Sequence, residues 1–283
     1  MPSVVVASYN VHGGVDGWGH PFDVVEACRA IEADVLVLQE SWGADGQESL
    51  AQKVAQALGY SATELTLARG RIAAPPQQSG ERWGPQMWDR THFGLRLDRR
   101  RRTPSTVAPT TGAGAGAAPH STAPQAIERG TWGIAVLTRL EVRATRTFYL
   151  GQLPTDPARR GVIVMELAPS PQAASLHVIG THLAHLSQGS PRHIAALRRA
   201  VHGLVAVPAV MAGDMNLWGP PLSLLLPGWS RAVVGRSWPT WSRWLLAQTD
   251  HLLVSRALTA TSGEVLAVPG SDHYPVRARV TLG

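Results

Sequence analysis

One cysteine, Cys28, and one lysine, Lys53, stand in a chain of 283 residues. A lone thiol closes no intramolecular disulfide and supplies no cysteine-based metal site. With lysine almost missing, arginine carries the positive charge. Alongside abundant alanine, glycine and proline, that usage reads as a GC-rich coding bias. The formal charge of +6 and isoelectric point of about 10.4 suit an anionic partner such as nucleic acid, although a total says less than a clustered patch. No apolar run reaches the ~20 residues of a membrane helix, so no membrane insertion is expected. The opening MPSVVVASYN has no basic segment, and its apolar run is short for a signal peptide. A cytoplasmic, monomeric protein is the expectation.

What is present is a globular composition, 44% hydrophobic, with length enough for a large core. SVVVASYN (3–10) reads as a buried strand, continuous and β-branched. Phe22, Val25, Cys28 and Ile31 recur every three residues, a helix spacing over 21–33 with Pro21 near its first turn. DVLVLQES (34–41) is a second buried strand. Leu50, Val54 and Leu58 mark a second helix that stops at Gly59. This β-α-β-α order implies an α/β fold. Strands follow at 131–139, 161–167, 176–183, 207–214, 251–255 and 275–282. A helix over 190–205 has Ser190 as its N-cap, Pro191 in its first turn and an apolar stripe of Ile194, Leu197, Val201 and Leu204. Residues 103–126, rich in Pro, Thr, Gly and Ala, cannot bury enough apolar area to order themselves. They read as a disordered surface loop inside one domain spanning 1–283.

The strand tips carry the chemistry. Asn10, Glu40 and His182 each close a strand. In MAGDMN (211–216), Asp214 and Asn216 lie two apart, which puts them on one side of an extended chain. Asp250 opens a strand, and Asp272-His273 precede the last. Ligand sites in open α/β sheets lie beyond strand ends, so these tips can share a crevice. The set is rich in oxygen donors, which suits Mg²⁺ or Mn²⁺ rather than structural zinc.

SYNVHGG (8–14), LVLQES (36–41), GIAVLTR (133–139), GTHLAH (180–185), AGDMN (212–216), TDHLLVS (249–255) and SDHYPV (271–276) together resemble the endonuclease/exonuclease/phosphatase superfamily, in its order from first strand to last. The resemblance implies a DNase I-like four-layer α/β sandwich, two mixed sheets flanked by helices. It implies a phosphoester hydrolase using Mg²⁺ or Mn²⁺. Glu40 would be the principal metal carboxylate, with Asn10 beside it and Asp272 as a second metal-side carboxylate. Asp214 would orient or deprotonate the attacking water, and Asn216 would hold a phosphate oxygen. His273 would contact the phosphate or move a proton, oriented by Asp250. His182 matches the THL histidine of the DNase I-like and sphingomyelinase-like branches.

The chain departs from the abasic-site branch. It has no Tyr-x-Pro-Asn segment, and His12 stands where an acidic or amide residue is usual. His193 replaces a common Gln and reads as an exposed helix residue. Arg160 is a candidate phosphate contact, set against the commoner reading of a solvated surface arginine. Nucleic acid is the favoured substrate, supported by the basic balance and Arg99–Arg102. Lipid or small-molecule phosphoesters are the alternative, and an inactive binding scaffold is the third class. Trp238, Trp241 and Trp244 form a possible aromatic rim for bases or lipid.

Overall fold

The computed structural model describes residues 2–17, 19–73, 95–97, 127–238 and 248–282. The loop expected at 103–126, the arginines at 99–102, Trp241 and Trp244 lie outside the described residues. In chain order the elements are β1 (Ser3–Asn10), α1 (Val24–Ile31), β2 (Val35–Ala44), α2 (Leu50–Leu58), β3 (Ser61–Ala73), β4 (Leu95–Leu97), β5 (Ile127–Thr138) and β6 (Glu141–Gly151). They continue with β7 (Arg160–Ala168), β8 (Leu176–His182), α3 (Ser190–Ala200), β9 (Ala209–Asp214), α4 (Gly219–Leu225), β10 (Trp229–Arg231), β11 (Asp250–Ser255), β12 (Thr259–Val265) and β13 (Val276–Thr281).

The strands form a seven-stranded sheet, β12-β13-β1-β2-β5-β3-β4, and a six-stranded sheet, β10-β11-β9-β8-β7-β6. Each contains one parallel pair, β1 with β2 and β8 with β9, among antiparallel neighbours. Both parallel pairs are bridged by a helix, as a crossover requires.

Strand parity explains the layers. In β1, Val4 and Val6 enter the core between the sheets, while Val5, Ala7 and Tyr9 pack on the other side with α1 and α2 residues. In β2, Val35 and Val37 face the second sheet, while Leu36 and Leu38 face the helices. In β9, Val210 and Ala212 point inward, while Ala209 and Met211 pack with residues of α3 and α4. Both faces of these strands are dry, which is why they are continuously apolar rather than alternating. The order is helix, sheet, sheet, helix, the expected four-layer α/β sandwich.

Local signals set the helix ends. Asp23 caps α1 by accepting the Glu26 N–H at 3.0 Å. Ser49 and Gln52 form a capping box on α2, and Gly59 ends it with φ 69°. Ser190 is not the cap of α3: Gly189 occupies that position at φ 104°, and Ser190 begins the helix, fully buried. The regular helix also ends sooner than its apolar stripe, at Ala200, and a 3-10 turn at His202–Ala206 continues the stripe past Gly203.

The sheets approach closely at Gly180, which lies on the inward face of β8. A Cβ there would come within 2.7 Å of Val136 Cγ2 and 3.0 Å of Val37 Cγ1. Gly180→Val should therefore destabilise the fold by at least ~1–3 kcal/mol, the cost of forcing extra carbons into a packed core. Urea midpoints of both proteins check this, and an unchanged midpoint would show that the sheets have room.

Candidate active site

The inward parity of the strands continues to their tips. Asn10 follows Val4 and Val6, Asp214 follows Val210 and Ala212, His182 follows Val178, and Asp250 precedes Leu252 and Val254, always at even spacing. All four side chains therefore enter one mouth between the sheets. Glu40 has the wrong parity, since Val35 and Val37 are the inward residues of β2. A register shift between Leu38 and Ser41, with Glu40 at φ 57°, turns it into the mouth. Of the four non-glycine residues with positive φ among the described residues, three belong to this region: His12, Glu40 and Asn216. Such backbone persists where the surrounding structure holds it, commonly at functional sites. Gly213, before Asp214, has no space for a side chain, because a Cβ would lie 2.0 Å from the Thr181 carbonyl oxygen.

The contacts are dense. The Asn10 amide donates to Glu40 Oε1 at 3.2 Å and to Asp214 Oδ2 at 3.3 Å. Its oxygen accepts the His12 N–H at 3.0 Å. In this arrangement Asn10 turns its nitrogen, rather than its oxygen, toward the carboxylates. His182 Nε2 lies 3.6 Å from Asp214 Oδ2, 3.9 Å from Glu40 Oε1 and 3.3 Å from Asn216 Nδ2. The Asn216 N–H donates to Asp214 Oδ1 at 2.9 Å, and its amide donates to the Leu183 carbonyl at 3.0 Å. His273 Nδ1 meets Asp250 Oδ2 at 2.8 Å, while its Nε2 lies 4.0 Å from both Asp214 Oδ2 and Asp272 Oδ1. Asp272 Oδ1 is also 3.3 Å from His12 Nδ1.

The register of β9 and β11 sets Asp214 directly opposite Asp250, and both are buried. Burial first, then the Asp250 charge, pushes the Asp214 carboxyl up to about 7, with His273 acting in the other direction. Burial alone would lower the His273 pKa, but Asp250, Asp272 and Asp214 together hold it well above the ordinary imidazole value. Asp272 is held below the usual carboxylate range: burial would raise it, but His12, His273 and the Ser271 hydroxyl outweigh that. An acid and a base with displaced pKa values thus share one mouth.

All the sequence-derived residues except Arg160 gather in this network. Arg160 is not solvated: its guanidinium is 3% exposed and binds Asp156 at 2.7 and 3.3 Å. It lies 5.3 Å from the Trp132 ring, which is 5.2 Å from the His182 ring, so it adjoins the site through Trp132. His193 is also not an exposed helix residue; it is 2% exposed, and burial followed by the Arg160 charge lowers its pKa.

Sequence reasoning missed the supporting hydroxyls. Ser237 donates to Asp250 Oδ2 at 2.8 Å, and Thr249 does so at 3.2 Å. Ser271 donates to the Asn10 carbonyl at 2.6 Å and accepts the His273 N–H at 3.2 Å, tying the last motif to the first strand. Ser271 sits in the quoted SDHYPV motif, and that was its only signal. Ser237 precedes a tryptophan cluster and gave none.

Residues 7–273 match the model of the Endonuclease/Exonuclease/phosphatase family. The chain belongs to that family. Its members are phosphoester hydrolases. Solved structures share the fold at low identity. An endonuclease/exonuclease/phosphatase from Beutenbergia cavernae has TM-score 0.62 and 17% identity, over 100% of this chain and 72% of that one. The human Nocturnin catalytic domain with bound sulfate has TM-score 0.60 and 17% identity, over 100% and 94%. D. rerio TDP2 with single-strand DNA product has TM-score 0.58 and 13% identity, over 99% and 100%. No curated protein matches the sequence.

The family generally uses divalent metals, and the donor set here fits one. Ligand atoms of Asp214, Asp250 and His273 lie within 4.8 Å of one another. Asp250, however, is already bound to His273, Ser237 and Thr249, so it is better placed to orient than to coordinate. Glu40 and Asp272, 19% and 25% exposed, are the accessible carboxylates of the mouth. Among the described residues, no helix is long and apolar enough to cross a membrane.

His251, next to Asp250, turns away from the mouth and meets the Leu217 carbonyl at 2.8 Å. Burial lowers its pKa to about 4. Its neutral form is therefore favoured in the folded state, and its contribution to stability, present above pH ~6.5, is lost as pH falls toward 4. The loss should reach about 3 kcal/mol at ~1.4 kcal/mol per pKa unit. Urea midpoints at pH 7 and 4.5 should fall less in His251→Gln than in wild type. Parallel losses would remove His251 from the acid response.

Proposed function

We propose that the chain hydrolyses phosphodiester bonds in nucleic acid with Mg²⁺ or Mn²⁺ at the mouth between the sheets. The observation that carries the reading is Asp214, a buried carboxylate held between His182, Asn10 and Asn216 and 4.0 Å from a histidine that Asp250 fixes. The carboxylates Glu40 and Asp272 would hold the cation, with Asn10 positioning Glu40 from beside it. When bound, the cation supplies positive charge against the charge that builds on the phosphate oxygens.

The other steps belong to the chain. Asp214, with its pKa near 7, accepts the proton of the attacking water. Asn216 and His182, which meet each other beside Asp214, would exchange that contact for a phosphate oxygen when substrate binds. His273, kept protonated by Asp250, donates to the phosphate or the departing oxygen. The Asp250 bond to Nδ1 also fixes which ring nitrogen faces the substrate.

Three features favour nucleic acid. The chain is basic, at +6. Trp218, two residues beyond Asn216, is 48% exposed, and Trp238 stacks on His273 with ring centroids 6.3 Å apart, so aromatic faces flank the mouth. The D. rerio TDP2 structure of the same fold holds a DNA product.

A substrate panel of supercoiled plasmid, single-stranded DNA, RNA, sphingomyelin and inositol phosphates tests the class. EDTA should abolish turnover, and Mg²⁺ or Mn²⁺ should restore it. Activity that persists in EDTA after exhaustive dialysis would sink the reading, and turnover confined to lipid would replace the substrate class. On the verified substrate, Asp214→Ala and His273→Ala should each lower kcat by at least ~10²-fold. Asp250→Asn should lower kcat without moving the metal concentration for half-activity.

Trp218→Ala checks the aromatic rim separately. It should weaken single-strand binding by about 5-fold to 100-fold, the range of one base stack, with little effect on kcat. Unchanged binding would show that bases do not reach this tryptophan.

A further inference from the structure

His12 is the residue that the sequence places unusually and the chemistry above does not use. It follows Asn10 by two, at φ 46°, with its N–H held by Asn10 Oδ1 at 3.0 Å. Gly13 and Gly14, at φ 66° and 86°, turn the chain away immediately afterwards. The ring is 19% exposed, and its Nδ1 lies 3.3 Å from Asp272 Oδ1. Gly17 packs on the same aspartate, since a Cβ there would lie 3.2 Å from Asp272 Cβ. The first loop is thus fitted around Asp272, with an imidazole nitrogen beside the carboxylate oxygen.

We propose that His12 is a nitrogen ligand of the cation next to Asp272 and that it makes the centre select Mn²⁺ over Mg²⁺. The inference rests on the metal-dependent reading given above. His12 Nδ1 and Asp272 Oδ1, 3.3 Å apart, are close enough for one cation to take both as ligands. Mg²⁺ prefers an oxygen shell and keeps its waters, and it gains little from imidazole. Mn²⁺ accepts the same oxygens and gains more from a nitrogen donor. His12 thereby acts as a filter on the ion rather than on the substrate.

The test uses the full chain and reads binding, not turnover. Dissociation constants for Mn²⁺ and Mg²⁺ are measured for wild type, His12→Asn and His12→Gly. Both replacements accept the left-handed backbone at this position. Nitrogen modulation of the bound Mn²⁺ paramagnetic signal is recorded in parallel. Melting temperatures in EDTA confirm that each variant is folded. Wild type should bind Mn²⁺ more tightly, with a nitrogen coupling that shrinks in both variants. Mn²⁺ affinity should fall about tenfold or more on losing the ligand. Mg²⁺ affinity should change much less, so the selectivity ratio should collapse. A ratio or nitrogen coupling unchanged in the folded variants would overturn the assignment and leave His12 as a hydrogen-bond partner of Asp272, with the hydrolase reading intact. If neither ion binds wild type, the metal reading itself fails as well.

Discussion

Asp214 and Asp250 face each other across two central strands, with almost no water to separate their charges. Like charges directly opposite in a sheet are destabilising, and burial enlarges the cost. The rest of the mouth is arranged around that conflict. Asn10 and Asn216 donate to Asp214, Ser237 and Thr249 donate to Asp250, and His273 lies against both acids. Even so, Asp250 Oδ1 has no hydrogen-bond partner among the described residues. The interactions lessen the repulsion without removing it. A site in this condition favours a cation, and it keeps a carboxylate close to the pKa useful to a base.

The scaffold supplies the rigidity this needs. The central strands of both sheets are buried on two faces, and a one-residue slip would move every inward side chain to the opposite face. Asn10, His182, Asp214 and Asp250 share the parity of the deepest core residues, and their positions follow from hydrophobic packing. Glu40 is the exception, reached by a bulge and a left-handed residue. Glu40, one of the two proposed metal carboxylates, is therefore placed by strained backbone rather than by strand parity.

Much of this was legible in sequence. The buried strands β1, β2, β7, β8, β9 and β11 announce themselves through apolar runs, β13 shows through its alternation, and the strand-tip residues stand out as polar groups that end such runs. The edge strands β6 and β12 did not show, because they are exposed along most of their length and carry no apolar alternation. Capping was legible where it depended on a glycine with free space, as at Gly59, and misleading where a buried serine followed a glycine, as at Ser190. Within the site, residue types were readable but pairings were not. Nothing in the chain says that Glu40 needs positive φ, or that Ser271 reaches back 261 residues to the Asn10 carbonyl. Arg160 and His193 read as surface residues because charge and a helix position usually mean solvent. In the fold both are buried, with Arg160 bound to Asp156 beside Trp132.

The central claim is that the Asp214 carboxylate is kept at a cost to the fold because of what it does in the mouth. Its folded pKa of about 7 lies above that of the unfolded chain, so its ionisation destabilises the fold increasingly as pH rises from about 4 to 7, and fully above 7. The direct measurement is the melting temperature of Asp214→Asn against wild type at pH 8 in EDTA. The account predicts a higher melting temperature for the variant, because the amide keeps the shape and removes the charge facing Asp250. A variant that melts below wild type under these conditions would contradict it, and would show that the ionised carboxylate strengthens the fold rather than straining it.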